Sequence, residues 1–188
     1  ANSATATYDG KEHEAVGVET YEFTVEGNSY TVSGLSTEDP KQKDAGSYTN
    51  NITGTPVVTD KEGNVVTSEF EVKTENGSLE IGKAAVTLKS ATLSKKYDGN
   101  ALVNGDTALE IESGFAEGEG ATYNFTGSQT VVGSSANAFS YELNSNTNID
   151  NYEISKQEGT LTVTNREAKY EITVKANSAT ATYDGKEH

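Results

Sequence analysis

The chain has 188 residues, with 14 basic and 29 acidic side chains for a formal charge of −15, and it contains no Cys, Met or Trp. So acidic a surface repels a phosphate backbone, which removes nucleic acid from the expected partners. Without cysteine there are no thiolate metal sites, disulfides or thiol nucleophiles, so packing alone must hold the fold.

In chain order, apolar and polar residues alternate through TYEFTV (20–25), SYTVS (29–33), VVTSEFEV (65–72), AVTLKSATL (85–93), FSYEL (139–143) and YEITV (170–174). Period two is the mark of half-buried strands, and no window of helical periodicity competes with it. Only 33% of residues are apolar, but 10 Tyr with many Thr and Val suit exposed strands, and 18 Gly suit the turns between them. Two Pro argue against a polyproline spacer. There is no initiator Met, no charged-then-apolar leader and no apolar run near the roughly 18 residues of a membrane span. The expectation is an internal fragment of a longer protein, with no membrane insertion of its own.

Self-comparison gives the strongest signal. Residues 1–13, ANSATATYDGKEH, return without a change at 176–188, a period of 175 residues. A weaker repeat lies inside that period: Tyr8-Asp9-Gly10 recurs as Tyr97-Asp98-Gly99 and as Tyr183-Asp184-Gly185. Gly46-Ser47 falls opposite Gly133-Ser134, and EFEVKTENGSLEI (69–81) aligns with NYEISKQEGTLTV (151–163). In the last pair each segment reads as strand, short turn, strand. Asn76-Gly77 and Glu158-Gly159 are the expected hairpin turns, with glycine supplying positive φ.

Strands spaced by about 8–12 residues with Gly or Asn turns predict an all-β chain of antiparallel sandwich-like or elongated-sheet units. The repeat sets the units at 1–83 and 84–166, with a short, stiff joint. Residues 167–188 match the strand that opens the second unit and read as the start of the next copy. By the same arithmetic the opening strand of the first unit precedes Ala1. In a crystal or concentrated solution one chain's 167–188 is therefore expected to fill that place in another, a head-to-tail swap, the alternative being that it folds back on its own chain.

The three Tyr-Asp-Gly turns, with the stretch GSQTVVGSSANAFSYELNSNTNIDNYEISKQEGTLTVT (127–164), resemble the YDG/MBG repeats of bacterial surface proteins. Residues 88–164 follow the pattern throughout; residues 1–83 follow it at the turn and the final strands but depart from it at DPKQKDAGSYTN (39–50). The resemblance implies an all-β module repeated in tandem on large, adhesin-like proteins at the bacterial cell surface, outside the cell, and it implies no catalytic residues.

The side chains offer little chemistry of their own. Each period has one His, His13 and its copy His188, in a charged turn that gives no triad or metal site the partners it needs. The oxygen-rich stretches EGEGA (117–121) and NSNTNID (144–150) lack the ligand spacing of a calcium loop. Lys83 or Lys89 with Asn165 would be the pair to form an internal Lys–Asn bond. The Tyr-Asp-Gly turn reads as structural, with Asp and Gly making the turn and Tyr covering the end of a sheet. Neither enzyme nor cofactor is expected. Two functions remain: a stalk that projects a distant binding domain, with neighbouring repeats as its partners, or a weak module for host glycan or protein that gains avidity by repetition.

Overall fold

Alternating side chains become strands where a neighbour takes up their backbone hydrogen bonds. The computed structural model describes residues 1–105 and 108–187. Among these the regular structure is all β apart from single 3-10 turns at Thr67–Glu69 and Ile149–Asn151. The first half has β1 (Ala4–Thr7), β2 (His13–Glu14), β3 (Glu22–Val25), β4 (Asn28–Thr37), β5 (Lys41–Gln42), β6 (Gly46–Asn50), β7 (Ile52–Asp60) and β8 (Gly77–Gly82). The second has β9 (Ala84–Lys89), β10 (Leu93–Lys96), β11 (Leu102–Val103), β12 (Ile111–Ser113), β13 (Ala121–Phe125), β14 (Ser128–Gln129), β15 (Gly133–Ala136), β16 (Phe139–Leu143), β17 (Tyr152–Gln157) and β18 (Thr160–Thr164).

The same pairings occur in both halves. Sheet β1-β8-β6 matches β10-β18-β15, β2–β5 matches β11–β14, and β4–β7 matches β13–β16. Strands β3 and β12 each begin fourteen residues beyond the Tyr of their turn. Their partners differ: β3 pairs with β4, whereas β12 joins the sheet β12-β9-β17. Strands β9 and β17 have no counterpart in the first half.

Sheets β3-β4-β7, β2-β5, β11-β14 and β13-β16 are antiparallel, as expected, but the other three are mixed. Strand β1 runs parallel to β8, β10 to β18 and β9 to β17. Opening and closing strands are linked through a whole half, a connection long enough to return the chain in the same direction. Nor are the expected hairpins present. Strand β17 lies beside β9, while β18 lies between β10 and β15, so Glu158-Gly159 crosses from one sheet to another. The Glu158 side chain accepts from Lys156 Nζ at 2.7 Å. Asn76 bonds laterally, its Oδ1 accepting from Ile52 N at 3.0 Å and its Nδ2 donating to Asn51 Oδ1 at 2.8 Å.

Neither Gly77 nor Gly159 has positive φ. Glycine is needed there because a Cβ would lie 2.0 Å from Asn2 O at Gly77 and 2.3 Å from Ala91 O at Gly159. In both halves the opening segment passes too close for a side chain.

Two further expectations change with context. The stretch 85–93 is two strands, β9 and β10, hinged at Ser90, whose buried Oγ donates to Asn137 O (2.6 Å) and accepts from Gly159 N (2.9 Å). The expected strand 65–72 is instead a 3-10 turn followed by irregular chain, and 170–174 is not a strand either. Residues 65–67 touch β7, Val65 bridging Thr59, but 68–72 and 170–174 have no partner strand alongside among the described residues.

The core crosses the midpoint of the chain. Tyr8, Leu79 and Ile81 from the first half pack with Val86, Leu88, Phe139 and Tyr152 from the second. A separate apolar layer of the first half contains Val32, Val58 and the Tyr30–Phe70 ring pair, with centroids 4.8 Å apart.

Candidate functional site at the joint between the halves

The repeated turn is built the same way three times. Asp9 Oδ1 accepts from Lys11 N (2.9 Å), Asp98 Oδ1 from Asn100 N (2.9 Å) and Asp184 Oδ1 from Lys186 N (3.0 Å). Gly10, Gly99 and Gly185 have φ of 80°, 85° and 76°, a region open to glycine at little cost. The Lys11 amide, assisted by His13 Nε2 at 3.0 Å, holds the Asp9 carboxyl below the usual carboxylate range. At Asp98 the Lys95 ammonium, then the Asn100 amide, acts in the same direction.

The tyrosine that opens each turn meets different surroundings in each copy. Tyr8 is only 4% exposed and lies within the second half. Its ring meets Tyr152 edge-on, centroids 5.3 Å apart, and Phe115 packs on the same Tyr152 at 5.2 Å. The Tyr8 hydroxyl donates to Glu119 Oε1 at 2.5 Å; the Tyr152 hydroxyl donates to Glu119 Oε2 at 2.9 Å and accepts from Ala116 N at 3.0 Å. One carboxylate thus ties together two phenols from opposite halves. Burial first, and then the Glu119 carboxylate, pushes the Tyr8 phenol well above its ordinary value, and burial raises Tyr152 likewise.

A second clasp lies alongside. Asn151 is buried, its Nδ2 donating to Asp44 Oδ1 and its Oδ1 accepting from Ala45 N, both at 2.8 Å. Asp44 and Ala45 belong to the stretch 39–50, where the first half departs from the repeat pattern. That departure supplies contacts to the neighbour. Gly10 fits against Ala116, where a Cβ would approach Ala116 Cβ to 3.1 Å.

The other two tyrosines are more open. Tyr97 is half-buried beside Val132, Asn165 and Tyr170, and its carbonyl accepts from Arg166 Nη1 at 3.3 Å. Tyr183 is 93% exposed.

The remaining candidates have structural partners. The two oxygen-rich stretches bond to each other: Asn146 Nδ2 donates to Gly118 O (2.8 Å), and Gly120 N donates to Thr147 Oγ1 (2.9 Å). Asn148 Oδ1 accepts from Asp150 N at 3.0 Å, capping the 3-10 turn there. Among the described residues no group of three or more His, Cys, Asp or Glu is placed to hold a metal. Lys89 faces Glu110 at 3.1 Å, Lys83 is exposed, and Asn165 lies in the cleft beside Tyr97. His188 lies outside the described residues. Among the described residues no helix is long and apolar enough to cross a membrane.

The recurrent Tyr is legible in the sequence, whereas Glu119, which accepts from the Tyr8 hydroxyl, and Asn151, which holds Asp44 and Ala45, do not stand out from other surface acids and amides. Comparison with protein-family models, curated proteins and solved structures finds no match to the chain.

Proposed function

We propose that the chain is a non-catalytic stalk or spacer repeat of a large bacterial surface adhesin, acting outside the cell to project a distant binding domain. In this reading residues 1–83 and 84–166 are tandem YDG/MBG-like repeat domains, and 167–188 begins the next copy. The observation that carries it is the joint. A spacer transmits reach only if its units do not fold back on one another, and Tyr8 is buried in the neighbouring half with its hydroxyl on Glu119. A packed joint with bonded polar groups resists bending, unlike a Gly/Ser linker. The high acidity then keeps many copies soluble and mutually repelling.

The test is small-angle scattering on one-, two- and four-period chains, with glycan and matrix-protein binding measured on the same samples. A stalk predicts a maximum dimension that grows in proportion to copy number, with no binding. Dimensions that grow as for a flexible chain, or binding that strengthens with copy number, would favour the weak-adhesion reading.

A further inference from the structure

In the second half β9 is flanked by β12 and β17. The matching walls of the first half are β3 and the irregular segment 70–75, and between them lies a groove of about 460 Å³ lined by Tyr21, Phe23, Val32, Leu35, Ile52 and Val72. It continues into a cavity of about 250 Å³ that shares Phe23, Val32 and Val72. Tyr21 and Phe23 are 41% and 45% exposed, unusual for aromatic residues so close together.

The hydrogen bonds at the end of this groove show which residues fit it. The Ala1 ammonium donates to Glu75 O, as Ser90 N donates to Gln157 O at 3.1 Å. Further along, Tyr8 N donates to Gly82 O (2.8 Å) as Tyr97 N does to Thr164 O (2.9 Å). Ala1 therefore stands where Ser90 stands. Ala176 repeats Ala1, and the hexapeptide before it, Tyr170–Lys175, YEITVK, aligns without a gap on Ala84–Lys89, AAVTLK, the strand that precedes Ser90.

The alternation agrees and the burial is opposite. Val86 and Leu88 are 1% and 0% exposed, whereas their counterparts Ile172 and Val174 are 83% and 90% exposed. One chain thus carries both a groove with apolar side chains between walls that hold Glu19, Lys73 and Glu75, and an exposed segment of the β9 pattern.

We propose that residues 170–175 of a second copy enter this groove, so that copies associate head to tail. The register follows β17 and β9, where Tyr152 faces Ala84 and Ile154 faces Val86. In the first half it places Phe70 opposite Tyr170 and Val72 opposite Ile172, in parallel. On the other edge, Ile111 faces Lys89. The same offset brings Lys175 to Glu22, an attractive pair. The entering chain continues into 176–182, identical to 1–7, so it follows β8 in place of the acceptor's own β1, as β9 continues into β10. Each copy fills one groove and offers one strand, so the association stays open and makes filaments. The inference is independent of the stalk reading, since it needs only the groove and the strand.

The test uses the full chain in light scattering and sedimentation over a wide range of concentration. The expected result is mass rising in whole-number multiples of the monomer. Ile172→Asp with Val174→Asp, at exposed sites that leave the monomer intact, should abolish the rise. Mixed with a Phe23→Asp chain, which keeps its strand and loses its groove, this variant should form a one-to-one dimer and nothing larger. If Phe23→Asp does not fold, a labelled peptide of residues 168–188 should bind the strand variant at one site per chain. In the cysteine-free background, Val72→Cys with Ile172→Cys should oxidise to an intermolecular ladder. Glu171→Cys in place of Ile172→Cys, facing the other side of the strand, should not. A wild-type chain that stays monomeric, a strand variant that associates as before, or equal crosslinking by both cysteine pairs would overturn the proposal.

Discussion

Segments 69–74 and 151–156, EFEVKT and NYEISK, align with each other and share an apolar alternation, yet only the second contains a strand. The difference lies beside them. β17 has β9 as a parallel partner over six residues, and 69–74 has no strand alongside among the described residues. β3 responds by pairing with β4, while its counterpart β12 pairs with β9. Period-two alternation therefore gives a segment the capacity to be a strand, and a neighbour's backbone groups decide whether it becomes one. The two halves show one design with and without a flanking strand.

The comparison breaks most visibly at the recurrent Tyr. Tyr8, Tyr97 and Tyr183 occupy the same turn but are buried, half-buried and fully open. Tyr8→Ala should cost about 3–5 kcal/mol, as for truncation of a buried aromatic residue, while Tyr183→Ala should change stability by less than about 0.5 kcal/mol. Tyr97→Ala should fall between. Urea midpoints of the three variants at low concentration check the order; equal losses would mean that the turn, not the joint, sets the role of the ring.

The next contrast is between Leu88 and Val174, the same position in successive copies. Leu88→Ala removes a fully buried side chain and should cost about 2–5 kcal/mol. In dilute monomer Val174→Ala should cost less than about 0.5 kcal/mol. Raising the concentration sharpens the comparison: if 170–175 enters a groove, the cost at Val174 grows as association begins, and that at Leu88 does not.

Much of the fold is legible in the sequence, because strand alternation and the repeat are local signals. FSYEL at 139–143 coincides with β16, and the Tyr-Asp-Gly turns contain their own acceptor and their own positive φ. Glycine is less transparent. Gly77 and Gly159 look like turn residues, but their reason for being glycine is a carbonyl about seventy residues earlier in the chain, which no window can register. The joint is hidden for a related reason. Glu119 and Asn151 are ordinary polar residues until Tyr8 and Asp44 arrive from the other half. Likewise 70–74 is irregular where a strand was expected because alternation carries no information on whether a partner is present.

Alkaline titration tests the joint more finely. Burial raises the phenols of Tyr8, Tyr123 and Tyr152 above the ordinary tyrosine value of about 10. The unfolded chain therefore releases these protons first, so their contribution is fully present below about pH 10 and is lost as pH rises through the folded values. In that window each group should contribute about 1.4 kcal/mol per pH unit to the fall in stability. Tyr8→Phe should remove one such contribution while costing about 1.5–3 kcal/mol at neutral pH through loss of the bond to charged Glu119. Unfolding midpoints and tyrosinate absorbance against pH would show this; an alkaline slope unchanged by Tyr8→Phe would place the Tyr8 hydroxyl in water.

The smallest effect lies in the turn that both halves share. Asp9 and Asp98 are held below the ordinary carboxylate value by backbone amides two residues on and by His13 or Lys95. For a lowered value the sign is opposite to that of tyrosine: the contribution is present above the unfolded value of about 3.9 and is lost as pH falls through the folded one. Asn keeps an oxygen for the amide but has no charge to titrate, so Asp9→Asn and Asp98→Asn should lose that small contribution at neutral pH and flatten the acid limb. Because the turn is built alike in the two halves, the two variants should flatten it by similar amounts, in contrast to the unequal tyrosines beside them. A flattening by Asp9→Asn alone would show that the His13 contact, not the shared turn, sets the response.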